Sequence, residues 1–133
     1  MNKDIKLTQS EKSYLMAIYN LNCTSDCSFI RPVDVAVYNH VSRPSVTAAL
    51  KRLKNEGLID NTSQNRIVLT EKGLQSAKLI MQRFLIIKSF LKNMKIKNET
   101  AEKDAWNIEH DVSNQTVEKM SLNLKCSENK KVL

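Results

Sequence analysis

The sequence predicts a mainly α-helical fold, a winged helix–turn–helix followed by a second, all-helical segment. Three observations point there. The 133 residues include only two glycines and two prolines, so little interrupts helical periodicity. Between residues 32 and 57 a short apolar helix, a break at "HVS" and a strongly amphipathic helix follow one another, the order of a helix–turn–helix. Two β-prone runs come next, as a wing would.

The elements are justified in order. In "TQSEKSYLMAIYNL", Tyr14, Leu15, Ile18, Tyr19 and Leu21 form one helical stripe, with Ser10 the expected N-cap. "NCTSDCSFI" reads as a loop. "RPVDVAVYN" opens on Pro32, suited to a first helical turn, and carries Val33, Val35, Ala36 and Val37. In "SRPSVTAALKRLKNEGLI", Ser42 is the expected N-cap and Pro44 lies in the first turn. Val46, Ala49, Leu50 and Leu53 recur at i, i+3, i+4 and i+7, so this stripe faces a core. Gly57 stands where a left-handed residue would end the helix. "LID" and "RIVLT", parted by the polar "NTSQN", read as a hairpin. Thr70 then opens a long helix to about Met94, whose centre "FLIIKSFL" is apolar nearly all round and must be covered by other helices or by a second copy. A helix over about residues 100–112 and another from Asn114, capped by Ser113, to Leu124 complete the pattern. The tail "KCSENKKVL" reads as frayed. The organisation is therefore 1–72 for the winged helix–turn–helix and 73–133 for the helical segment.

Composition narrows the function. Residues are 41% apolar and 26% charged, enough to bury a core rather than remain disordered. No apolar run reaches the roughly 20 residues that span a bilayer, and the polar N-terminus has no signal-peptide core; a cytoplasmic protein without membrane contact is expected. Net charge is +7, which favours a polyanionic partner. The basic groups concentrate centrally: residues 31–72 carry seven against four acids, and 73–97 six against none. Cys23, Cys27 and Cys126 make an odd count, unlike an extracellular disulfide framework. No nucleophile–base pair, phosphate-binding glycine loop or paired acid stands out, so no enzyme is expected.

The helix over residues 43–55 carries the chemistry of duplex DNA recognition. Its outer face shows Arg43, Pro44, Ser45, Thr47, Ala48, Lys51 and Arg52. Small residues at its N-terminal end let the backbone approach base edges in the major groove, while the helix dipole attracts phosphate. Arg43 is the candidate for a base edge or nearby phosphate, and Ser45 and Thr47 can hydrogen-bond either. Lys51 and Arg52 are placed for phosphates, and Arg66 in the hairpin for the adjacent backbone. The bland reading of the same residues is a solvated basic face.

A second constellation is "DAWNIEHDVS". Glu109 and His110 are adjacent, with Trp106 three residues before Glu109. A carboxylate beside an imidazole suits a divalent metal, and a tryptophan does not. The bland reading is a helix-surface carboxylate and a hydrogen-bonded histidine packed on Trp106.

Taken in order, "LTQSEKSYLMAIYNL", "RPVDVAVYNHVSRPSVTAALKRLKNEGLI", "VLTEKG" and "IEHDVSNQTVEKM" resemble the metalloregulators of the diphtheria-toxin-repressor and manganese-transport-regulator type, the DtxR family. The resemblance spans about residues 7–124 and is most specific at "SVT" and "EHDVS". It is to the short, manganese-regulator-like form, with no SH3-like third domain expected. It implies a homodimeric, cytoplasmic transcriptional repressor on a near-palindromic operator, with 73–133 as an α-helical dimerisation domain. It also implies a bridging manganese(II) or iron(II) that favours the DNA-binding form.

The metal ligands carry over only in part. Where the family's first helix has an acidic residue and then a glutamate or methionine, this chain has Ser13 and Met16. The long helix has Phe84 at the family's histidine and Lys88 four residues on, where an acid is common. The third set has Trp106 in place of a cysteine or glutamate, then Glu109 and His110. The resemblance thus leaves Glu109, His110 and, by analogy with methionine-bearing members, Met16. That is a thin donor set for manganese(II) or iron(II), which favour several oxygen and imidazole ligands. Phe84 and Trp106 are expected to form an apolar plug, and Lys88 to pair with Glu109, giving a repressor with weakened or lost metal dependence. A working manganese- or iron-responsive repressor with unusual ligands is the alternative. A thiol-redox or soft-metal sensor using Cys23 and Cys27, and an interaction module that no longer binds DNA, are the alternatives of other kinds.

Overall fold

A computed structural model describes residues 6–24, 30–62 and 66–132. Six helices and one hairpin follow in the order α1 (Gln9–Thr24), α2 (Pro32–Asn39), α3 (Arg43–Asn55), β1 (Ile59–Thr62), β2 (Arg66–Leu69), α4 (Glu71–Asn93), α5 (Asn98–Asp111) and α6 (Asn114–Val132). The chain divides into two compact units, 1–78 and 79–133. The mainly α winged helix–turn–helix architecture is the one the sequence predicts.

In the N-terminal unit, α1 packs on α2 and α3, and α2 on α3. Leu15, Ile18, Val35, Val46, Leu53, Leu58 and Ile67 are the large side chains fully enclosed there. β1 and β2 pair antiparallel, with Ile59 opposite Leu69 and Thr62 opposite Arg66. A bridge that periodicity did not reveal extends this sheet: the Ile67 N–H donates to the Ile30 carbonyl at 2.7 Å, tying the segment before α2 to the wing.

Helix ends explain the boundaries. α1 starts one residue before Ser10 because Thr8, not Ser10, is its cap. The Glu11 N–H donates to Thr8 Oγ1 at 3.1 Å, and the Thr8 N–H to Glu11 Oε1 at 2.9 Å, a reciprocal capping box. α1 also runs to Thr24, into the segment expected to be a loop. Ser42 is the N-cap of α3 by position, but its hydroxyl makes no cap bond and instead meets Ser45 Oγ at 3.0 Å. α3 stops as expected: Gly57 has φ +75°, its N–H donates to the Lys54 carbonyl, and the Leu58 N–H to the Leu53 carbonyl. That pair of bonds is a Schellman ending. Thr70 caps α4, accepting the Gly73 N–H at 3.0 Å. Gly73 itself is required by packing, since a Cβ there would lie 1.8 Å from the Leu58 carbonyl oxygen.

The C-terminal unit buries Ile87, Leu91, Ala101, Ala105 and Val117, with Phe84, Ile86, Ile108 and Met120 against them. Ser113 caps α6, accepting the Thr116 N–H at 3.2 Å. α6 continues through the tail read as frayed, to Val132, since no glycine or proline stops it. Among the described residues no helix is long and apolar enough to cross a membrane.

Candidate nucleic-acid interface and metal-ligand region

α2 ends at His40, which takes the left-handed conformation at φ 55°. Its N–H and that of Val41 bond back to the last turn of α2. The chain thereby reverses within three residues and presents α3 as a separate, outward helix. Val46, Ala49, Leu50 and Leu53 are buried beneath it, whereas Arg43, Pro44, Ser45, Thr47, Ala48, Lys51 and Arg52 are all exposed. The structure therefore gathers all seven α3 residues named from the sequence on one open face.

Two of them are partly engaged. Thr47 Oγ1 donates to the Arg43 carbonyl at 3.0 Å, which spends its proton and leaves the oxygen's acceptor capacity and the methyl group outward. Arg52 Nη2 donates to the Lys6 carbonyl at 3.3 Å, and its Nε lies 3.7 Å from Glu56 Oε1. Arg52 is thus braced, while Arg43 and Lys51 project from exposed positions. Arg66 begins β2 and is half-buried. The approach of Lys6 to Arg52 and the exposed Val37 and Tyr38 on α2 were not foreseen.

The other constellation reads differently from its sequence. Glu109 is no surface carboxylate: it is 2% exposed, a buried charged residue of the C-terminal unit. Arg83 pairs with it where Lys88 was expected. Arg83 Nε lies 3.2 Å from Glu109 Oε1. The same guanidinium donates through Nη2 to the Glu109 carbonyl at 3.1 Å and the Val112 carbonyl at 2.8 Å, and through Nη1 to Asn114 Oδ1. Lys88 turns its ammonium to the Phe84 ring instead, 5.9 Å from the centroid. Arg83 wins because a guanidinium offers five donors in a fixed fork, and the end of α5 offers several acceptors at once.

Phe84 and Trp106 meet edge to face, with centroids 6.0 Å apart and planes at 71°, a favourable quadrupole geometry. His110 Nδ1 is buried without a hydrogen-bond partner, so the hydrogen bond expected of this histidine is not made at that atom. Met16 is buried among the N-terminal unit's apolar residues and Ser13 is half-buried there. Cys126 is an exposed free thiol; Cys27 lies outside the described residues, so the Cys23/Cys27 pairing does too.

These residues do not fit a manganese or iron site. Among the described residues no three of His, Cys, Asp and Glu gather. Glu109, a buried carboxylate, is engaged by a fixed cation, and aromatic rings, Phe84 and Trp106, stand at two positions where the family resemblance leads one to expect a donor.

A winged helix–turn–helix with an open basic face, joined to a separate helical unit, defines a DNA-binding regulator fold. The chain belongs to the iron-dependent repressor (DtxR) family: residues 6–65 match its "Iron dependent repressor, N-terminal DNA binding domain" and 70–129 its "Iron dependent repressor, metal binding and dimerisation domain". It is 36% identical to the transcriptional regulator MntR of Escherichia coli O6:H1 over 92 residues, 69% of this chain and 59% of that one. The chain therefore spans about three fifths of the length of such curated relatives. An HTH-type transcriptional regulator of Methanocaldococcus jannaschii is 29% identical over 87% of this chain and 93% of its own. The solved manganese regulator SloR superposes with a TM-score of 0.77 at 28% identity, over 90% of this chain and 55% of that one.

Proposed function

We propose that this protein is a cytoplasmic transcriptional repressor that binds near-palindromic duplex DNA as a homodimer, and that its DNA binding does not require manganese(II) or iron(II). Residues 1–72 supply the DNA contacts and 73–133 the dimer contacts. The observation that carries the reading is the outer face of α3, where Arg43, Pro44, Ser45, Thr47, Ala48, Lys51 and Arg52 are exposed together over a fully packed inner face. Arg43, Ser45 and Thr47 address base edges or the nearest phosphates, Pro44 and Ala48 let the helix approach closely, and Lys51, Arg52 and Arg66 address the backbone. Dimerisation is supported by large apolar side chains left exposed in the helical unit, with Leu79 at 57%, Leu85 at 49% and Leu122 at 47%.

Metal independence is supported by the engagement of Glu109 with Arg83 and by Phe84 and Trp106 at the family's ligand positions. The competing reading, a manganese- or iron-responsive repressor with unusual ligands, has one observation in its favour, the buried and unpartnered Nδ1 of His110. Selection from a random duplex pool, with and without chelator, separates the two. The expected result is one near-palindrome, its half-sites about one helical turn or a multiple apart, enriched equally in both arms. No enrichment in either arm refutes DNA recognition; enrichment only without chelator refutes metal independence alone.

A further inference from the structure

We propose that Arg83 is the resident cation of the helical unit: its guanidinium holds the oxygen cluster where α5 ends and α6 begins, and so denies Glu109 to a divalent metal. The inference rests on the metal-independent reading above and gives it a physical cause. Four oxygens from three residues meet this one group: Glu109 Oε1, the Glu109 and Val112 carbonyls, and Asn114 Oδ1. Glu109 and Val112 belong to the last turn and C-cap of α5, where carbonyls lack helical partners and the helix dipole is negative. Asn114 begins α6. Arg83 projects from α4, so one side chain joins three helices.

The charges are also matched by depth. The Arg83 side chain is 13% exposed and that of Glu109 2%. A carboxylate so enclosed needs a cation or protonation. A divalent metal answers that need in a metal-binding protein, and here a guanidinium answers it permanently. The oxygens it gathers are hard donors of the kind manganese(II) accepts. Removing the guanidinium without removing Glu109 should therefore turn the cluster into a weak site for that ion.

The test is thermal unfolding of the full chain with 1 mM manganese(II) chloride (roughly the top of a weak-site range) or with EDTA. Wild type should unfold at one temperature in both. Arg83→Met should lose roughly 10–20 °C in Tm, the cost of taking the guanidinium away from a buried carboxylate, and manganese should restore several degrees, by order of magnitude. Arg83→Met/Glu109→Gln should lose less than Arg83→Met and gain nothing from manganese. Arg83→Met with an unchanged Tm, or with no manganese response, or with a response that persists in the double variant, would overturn the inference. Should Arg83→Met not fold, Arg83→Lys serves. It keeps the charge but loses the fork, so its Tm should fall while staying indifferent to manganese; an unchanged Tm overturns the role of the fork. A wild-type Tm that rises with manganese instead defeats the metal-independent reading itself, whatever the variants do.

Discussion

Lys51→Gln tests the α3 interface through its salt dependence. Lys51 projects from an exposed position on α3, Arg52 lies beside it, braced by Glu56 and the Lys6 carbonyl, and Arg66 starts the wing strand. The three phosphate-directed cations of each protomer, Lys51, Arg52 and Arg66, make about six in a dimer, so log K against log salt should slope near −5.4, at about 0.9 per phosphate. Raising salt from about 50 to about 200 mM then weakens binding by roughly 10³-fold. Lys51→Gln removes two contacts from the dimer, which should bring the slope to about −3.6 and weaken binding by up to roughly 60-fold near 0.1 M salt. The core is untouched because Lys51 is exposed while its neighbour Leu50 is buried. Fluorescence anisotropy on a labelled duplex from the pool selection, at five salt concentrations, reads both quantities. A wild-type slope shallower than about −2, or a slope unmoved by Lys51→Gln, would refute the placement of α3 against phosphate.

Gly73→Ala should lower Tm markedly, at least the ~1–3 kcal/mol of an overpacked site, because its Cβ would lie 1.8 Å from a backbone oxygen, that of Leu58, which no rotamer change relieves. Calorimetry showing an unchanged Tm would contradict the close approach of α4 to Leu58. Lys95→Gly should stabilise by about 0.5–1 kcal/mol, since Lys95 holds φ 71° after α4 and a left-handed residue with a Cβ carries a penalty of roughly 1–2 kcal/mol, partly offset by glycine's entropy; urea unfolding with a lower midpoint would refute it. Thr8→Ala should cost about 1 kcal/mol through loss of the α1 cap, and Ser10→Ala much less; equal losses in chemical denaturation would return the cap to Ser10. Arg43→Ala should narrow the affinity ratio between selected and scrambled duplexes by more than Lys51→Gln does, because base contacts specify and phosphate contacts position; equal ratios in the same anisotropy assay would remove Arg43 from base readout.

The helix–turn–helix was legible because its signals are local. Four apolar residues at helical spacing, a proline in the first turn and a glycine at the C′ position decide α3 without help from the rest of the chain. The cap of α1 was legible in principle, since Thr8 and Glu11 have capping-box spacing, but Ser10 offered a competing hydroxyl. The length of α6 was underestimated because polarity was taken as fraying, although lysine and glutamate favour helix as well as water. The Glu109 partner was hidden for another reason. Arg83 lies 26 residues away in sequence, and helical periodicity cannot say which of six bases between residues 73 and 97 faces inward. The family pattern drew attention to Lys88, which the Phe84 ring takes instead.

Arg83 also bears on what kind of switch the helical unit can be. A ligand shifts a conformational equilibrium only by its differential affinity for the two states. A buried carboxylate can be the source of such a difference, since enclosing it is costly when it is unpaired and less so when a cation is bound to it. On the proposed reading Glu109 already has its cation in every state in which α4, α5 and α6 are folded together, so the difference a metal would exploit is removed. On that reading the quantity left to vary would be how much of the protein is dimeric. The exposed Leu79, Leu85 and Leu122 would be covered only on association, and a two-fold operator gains little from one protomer alone. On the proposed reading, occupancy of DNA would follow protein concentration through the monomer–dimer equilibrium, and abundance of the chain, rather than a bound ion, would be the quantity that the operator reads.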